Sequence, residues 1–318
     1  MTTDGEPVVK RSFGRRVLRT DPQYTAHFGD PFRPLEPECK VIQFDRPLTD
    51  EQFRRAGDLV ADRPDVQLYV YGRATRDLDF LHHFPTIRRL HVALWELEDV
   101  GGLAAIMPQL SDLNFGRTKK QFPLGFLAAG KQLDRLFLVG HKKGIEVAGA
   151  LDQLDELGLS GITLADLSIF LPLAKLRKFN LFLGSTTDLR LLPRIGAIEE
   201  LWLMRITRLS DLQVLQDLRS LTKLHLDWMR NVTSLPSLAP LTKLVNVKLD
   251  TMKGLTSLNP VAAAPNLKRL SVVTMPQLKA EDFACLKGHP SLEELWAFPA
   301  GKKVNQAIRE MFPGIARG

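Results

Sequence analysis

The sequence predicts an α/β solenoid: a curved parallel sheet of about eleven strands, with short helical or irregular outer segments and capped ends. Three observations carry this. Leucine supplies 54 of the 318 residues, while tyrosine supplies only 3. The pattern apolar-x-x-apolar-x-apolar recurs along most of the chain. Its spacing stays close to 22 or 23 residues. Length alone allows two ordinary domains, but an unbroken period of this size argues for one elongated stack.

The copies run Ile87-Leu90-Val92, Leu110-Leu113-Phe115, Leu133-Leu136-Leu138, Leu154-Leu157-Leu159 and Leu176-Phe179-Leu181. They continue as Ile198-Leu201-Leu203, Leu221-Leu224-Leu226, Leu244-Val247-Leu249, Leu267-Leu270-Val272 and Leu292-Leu295-Ala297. A weaker copy, Leu68-Val70, opens at Asp65. Apolar-x-apolar is a short strand with one buried face. A unit this small cannot bury that face alone, so neighbours must stack.

A second apolar ladder marks the later repeats. Leu209, Leu212, Leu215 and Leu218 stand at places 12, 15, 18 and 21 of their copy, and Val232, Leu235, Leu238 and Leu241 do so in the next. The chain resembles the leucine-rich repeat family, in the short 22-residue class typified by bacterial internalins. The resemblance covers about 65–298 and implies short helical turns on the outer side. One departure is clear. Place 9, where the family usually has Asn or Cys, reads Trp95, Thr118, His141, Ile162, Gly184, Ile206, Met229, Met252 and Met275. Without an asparagine ladder, irregular bends and an unusual curvature are expected.

A solenoid needs closed ends. Residues 36–64 read as a strand–helix cap: Val41-Ile42-Gln43-Phe44 is the strand, and Thr49 or Asp50 caps a helix to about Ala61. Residues 299–318 suit a capping helix through Val304, Ile308, Met311 and Phe312. Residues 1–35 have no periodicity and read as a flexible basic arm; residues 1–19 hold five basic against two acidic side chains.

Composition excludes several classes. The net charge is +7, and 44% hydrophobic with 25% charged residues describes a folded chain. Two distant cysteines, Cys39 and Cys285, make neither a disulfide framework nor a metal cluster. Cys285 reads as a core thiol, and Cys39 carries no assignment. The N-terminus lacks a secretory apolar core and no 18-residue apolar run exists, so a cytoplasmic chain is expected. No phosphate loop, nucleophile elbow, HExxH helix or GxGxxG turn is present, so no catalytic residue, cofactor or metal is assigned and no enzyme is expected. His82 and His83 are adjacent, so their side chains should point apart and not share a metal.

Function is expected on the inner, concave face. Places 5 and 7 put Tyr69, Tyr71, His91, Phe137, Phe182, Trp202, Met204, His225, Asp227, Lys248, Asp250 and Trp296 there, with Trp228 just beyond. Aromatic side chains bury much area at small entropic cost, which favours a partner site. A basic rim follows the strands: Arg117, Lys119, Lys120, Lys142, Lys143, Arg205 and Arg230. His141 falls in the same row. The resemblance implies a non-enzymatic protein-binding module, an adaptor, effector or neutralising protein, and a monomer is expected. Nucleic-acid or anionic-ligand binding through the arm and rim is the alternative, and an enzyme with a hidden site the second. The mixed signs at places 2 and 3 argue against nucleic acid. Replacing Trp202 and Trp228 together is expected to weaken the partner and leave stability nearly unchanged.

Overall fold

The computed structural model describes residues 39–315, with Leu35 and Pro37 before them and the backbone of three short N-terminal strands. Strands β1 (Lys10–Ser12) and β2 (Arg15–Val17) pair antiparallel. Strand β3 (Gln23–Thr25) pairs in parallel with β4 (Val41–Phe44). The flexible arm expected over 1–35 otherwise lies outside the described residues.

Two compact units form, one from 1–154 with 158–160 and the other from 155–157 with 161–318. The first holds β5 (Gln67–Tyr71), β6 (Arg89–Ala93), β7 (Asp112–Phe115) and β8 (Arg135–Val139). Strand β9 (Glu156–Ser160) is divided between the units. The second holds β10 (Lys178–Phe182), β11 (Glu200–Met204), β12 (Lys223–Asp227), β13 (Asn246–Asp250), β14 (Arg269–Val273) and β15 (Glu294–Phe298).

Within each unit the repeats pair in register, place against identical place. In the first unit Leu68 faces Leu90, Leu90 faces Leu113 and Leu113 faces Leu136. In the second, Leu201 faces Leu224, Leu224 faces Val247 and Val247 faces Leu270. Period-2 alternation sends places 4 and 6 to the same side, where these leucines and valines are buried. A one-residue slip would turn that whole set to water, so the pattern itself fixes the register.

Most outer segments carry short 3₁₀ turns, such as Leu124–Ala129, Gln213–Asp217 and Ala280–Leu286, while the segment between β12 and β13 has no helical turn. The second ladder suits such turns. Leucines three residues apart line one face of a helix with three residues per turn, not 3.6. Leu209, Leu212, Leu215 and Leu218 are all buried.

At the N-terminal end, α1 spans Asp50–Val60 and is capped by Thr49, whose hydroxyl accepts from the Gln52 N–H while Gln52 reaches back. Its Phe53, Ala56 and Val60 are buried. The short helix α2 spans Asn259–Ala262. At the other end α3 (Lys302–Met311) buries Ile308, and Phe312 follows it into the core.

The bends correct one expectation. In the second unit they are regular, not irregular. Place 8 is left-handed in five successive repeats, at Leu183, Arg205, Trp228, Thr251 and Thr274, with φ between 52° and 56°. Glycine holds that place at Gly72, Gly140 and Gly161. The left-handed residue aims its N–H at the last carbonyl of the next strand: Trp228 to Asp250 at 2.9 Å, Thr251 to Val273 at 3.0 Å and Thr274 to Phe298 at 3.1 Å. The backbone thus closes the bend that an asparagine side chain would otherwise serve. Place 9 is then free to be apolar, and Ile206, Met229, Met252 and Met275 are buried.

Holding a β-branched residue left-handed stores strain of about 1–3 kcal/mol. Thr274 is exposed, so Thr274→Gly should relieve that strain and outweigh the roughly 1 kcal/mol of added backbone entropy. A net gain of about 1 kcal/mol is expected in denaturant unfolding, with Gly161→Ala moving the other way by a similar amount. A destabilised Thr274→Gly protein would contradict the strain.

Candidate functional site

Strand residues at places 5 and 7 point away from the leucine core, and neighbouring repeats bring identical places side by side. In the first unit this builds an aromatic column. The Tyr71 and Tyr69 rings stack at 4.6 Å, and Tyr69 stacks on His91 at 4.3 Å. Both tyrosines are half-buried, whereas His91 is only 6% exposed. Burial pushes the His91 imidazole down to about 4. Asn114 is buried beside it.

Phe137 is also buried, through its neighbour. A Cβ at Gly158 would lie 1.9 Å from the Phe137 ring, so the ring lies over the glycine. His91 and Phe137 therefore act as packing beneath the face and present little surface to a partner.

The second unit repeats the theme. Phe182 meets Trp202 edge-on at 4.7 Å, and Trp202 stacks on His225 at 4.4 Å. Phe182 and Asp227 are buried, while Trp202, Met204, His225, Lys248 and Asp250 are half-buried. Trp202 is thus wedged between two rings, so the expectation that its loss leaves stability unchanged is corrected. The Lys248 ammonium lies 3.9 Å from Asp250, which also accepts from the Thr251 hydroxyl at 2.9 Å.

Trp228 is different. Its left-handed backbone turns it out of the strand line, and it is 48% exposed with the Arg205 guanidinium 5.5 Å above the ring. Trp296 is 41% exposed and donates its indole N–H to Glu294. Among the described residues, the exposed large hydrophobics are Trp95, Trp228, Trp296 and Phe298. All four stand at places 5, 7, 8 or 9, on the strand face or its edge.

The basic rim residues Arg117, Lys119, Lys120, Lys142, Lys143, Arg205 and Arg230 are all exposed. Arg117 lies 5.9 Å over Trp95, and the Lys120 ammonium donates to the Glu98 carbonyl at 3.0 Å. His141 does not belong with them. It is fully buried, where one ring nitrogen lies 3.1 Å from the Gly116 carbonyl and the other accepts the Phe122 N–H at 3.4 Å. At place 9 it satisfies backbone groups much as asparagine would, and burial holds its pKa down. Sequence order placed it on the rim; only the acceptor and donor around it identify its role.

Both cysteines are free thiols. Cys39 is buried, its thiol 3.5 Å from the Val41 carbonyl. Cys285 is half-buried rather than fully core, and burial pushes its thiol pKa up, away from the thiolate.

A 1.91 Å structure of an internalin from Listeria monocytogenes aligns over 88% of this chain and 80% of its own, with a TM-score of 0.56 and 17% identity. Both units have the leucine-rich repeat fold. A chain of the Toll–Spätzle complex of Drosophila shares it over 81% of this chain and 42% of its own, with a TM-score of 0.52 and 15% identity. A Leptospira interrogans leucine-rich repeat protein aligns at 0.45 and 15% identity, over 90% of this chain and 93% of its own. No protein-family model and no curated protein sequence matches this chain. Among the described residues no helix is long and apolar enough to cross a membrane.

Two measurements follow. His91 is neutral when folded but titrates near its ordinary 6.5 when unfolded. The unfolded state then binds more protons between about pH 4 and 6.5, so stability is full above that window and falls as pH drops through it. The two and a half units amount to about 3 kcal/mol. Unfolding at pH 7.5 and 4.5 should therefore show an acid loss that His91→Phe reduces by about 2 kcal/mol. Gly158→Ala should drive the Phe137 ring from its seat and cost about 1–3 kcal/mol, with Phe137→Leu in the same chain recovering part.

Proposed function

We propose that this chain is a non-enzymatic protein-binding module whose strand face receives a protein partner. The carrying observation is the concentration of exposed large hydrophobics at places 5, 7, 8 and 9. Single exposed apolar residues need no explanation, but their confinement in each unit to the strand places and the edge just after them does. Trp228 and Trp296 act as the main anchors in the second unit, with Trp202, Met204 and His225 extending the surface along β11 and β12 beside Trp228. Lys248 and Asp250 supply polar specificity. Tyr69 and Tyr71 play the anchor role in the first unit. His91, Phe137, Phe182 and Asp227 support these residues from below.

Rigid presentation is the mechanism. The anchors rest on hydrogen-bonded strands and stacked rings, so little ordering entropy is lost on binding. The exposed basic rim raises the encounter rate with a partner that carries an acidic patch. A similar repeat fold occurs in the Toll–Spätzle complex, a protein–protein assembly, which is consistent with this use.

Trp228 is exposed and Trp296 has only Ser271 opposite it on β14. The Trp228→Ala, Trp296→Ala double variant should keep the wild-type Tm and lose at least tenfold in affinity, since anchor tryptophans typically carry about 2 kcal/mol or more each. Capture of partners from native lysate by wild type and variant side by side measures this. Equal recovery of the same protein by the folded variant would remove the strand face from the interface. Recovery of nucleic acid, lost steeply as salt rises, would favour the rim alternative instead.

A further inference from the structure

The adjacent histidines do not diverge as their sequence order suggests. They close a 3₁₀ turn, Asp79–His83, and their rings lie 3.8 Å apart at 42°. His83 folds toward the start of α1, where its Nε2 lies 2.7 Å from an Asp50 carboxylate oxygen. One ligand atom from each of Asp50, His82 and His83 lies within 4.8 Å of the others. We propose that these three side chains form a binding site for one divalent transition metal of the zinc class, independent of the protein-binding face.

Three further observations support the assignment. First, the donor set is two imidazole nitrogens and one carboxylate oxygen. That set suits zinc, cobalt, nickel or copper and is poor in oxygen for calcium or magnesium. Second, the His82 Nδ1 lies 2.6 Å from the Asp79 carbonyl. A carbonyl only accepts, so Nδ1 donates there and Nε2 is the ring nitrogen left to face a metal, as in many histidines that bind metals. Third, the seat is rigid. The Phe53 ring of α1 stacks on Phe80 of the turn at 4.3 Å, and Phe44 meets Phe53 edge-on at 5.5 Å. Gly57 lets the elements approach so closely that a Cβ there would sit 2.0 Å from the His83 carbonyl.

Ligands held on packed elements keep their spacing before the metal arrives. Asp50 and His82 are exposed, so the remaining coordination positions open to water. On binding, the His83 Nε2 proton passes through water to Nδ1 of a neutral ring, or to bulk water from an imidazolium, so that the Nε2 lone pair ligates the metal and Nδ1 carries the remaining proton. The bound ion would clamp α1 to the turn that follows the first strand of the repeats.

The full-length chain, stripped with chelator, tests this by calorimetric titration with zinc and by Co²⁺ absorption. Wild type should bind one equivalent, show visible d–d bands with cobalt, and rise in Tm by roughly a few degrees in excess zinc. Calcium and magnesium should leave Tm unmoved. His82→Ala changes an exposed side chain, and Asp50→Asn keeps the shape of the helix start; each should weaken zinc about 10–100-fold or more. No saturable zinc binding by wild type would overturn the site. So would wild-type affinity in both variants, which would place the ion on other residues.

Discussion

A strand of five residues must end in a bend, and the peptide groups of that bend have no strand partner beside them. Buried backbone groups left unpaired cost several kilocalories per mole. At Gly140, Gly161, Leu183, Arg205, Trp228, Thr251 and Thr274 a left-handed residue after the strand resolves the problem by directing its N–H to the last carbonyl of the next strand, as from Arg205 to Asp227 at 2.9 Å. Because the backbone does this, no polar side chain is required at the following place. Met229, Met252 and Met275 can sink into the core there, and His141 and Thr118 can substitute where the local bend differs. The apolar pattern fixes the in-register pairing, and these bends let each strand end without an orphaned peptide group.

The same register sets a competition on the strand face. Identical places lie about 4.8 Å apart on adjacent strands, so an aromatic side chain meets whatever its neighbour carries. Where the neighbour is another ring, the two cover each other, as with Tyr69 and His91 or Trp202 and His225. Where the neighbour is small or missing, the ring stays open: Trp296 faces Ser271, and Trp228 stands beyond the strand end. Exposure is therefore a property of pairs of repeats, not of single residues.

This explains what was legible from sequence. The repeat boundaries, the strand register and the Thr49 cap follow from period and local pattern, which one chain displays in full. The outer 3₁₀ turns follow from the spacing of three between Leu212, Leu215 and Leu218. Which strand residues would be buried was not legible, because Phe137 sinks only by virtue of Gly158. Nor was the role of His141, which depends on the Phe122 N–H nineteen residues before it. The meeting of His82 and His83 depends on Asp50, more than thirty residues earlier, and on the phenylalanine seat beneath them. Periodicity reports the faces of elements; it does not report where one side chain finds its partner.

The pairing of like with like also bears on how such a chain can change length. Each repeat pairs its strand with its neighbours at matching places, Leu224 with Leu201 and with Val247, and repeats the same bend contact to the next strand. Deleting or duplicating one whole period leaves every remaining rung with an equivalent partner. In the second unit the junction then meets a bend of the same left-handed form. Indels of a full period are thus absorbed by the scaffold, while indels of one or two residues invert its faces. A lineage of such chains can lengthen, shorten and recombine its binding surface in units of about 23 residues without rebuilding the core.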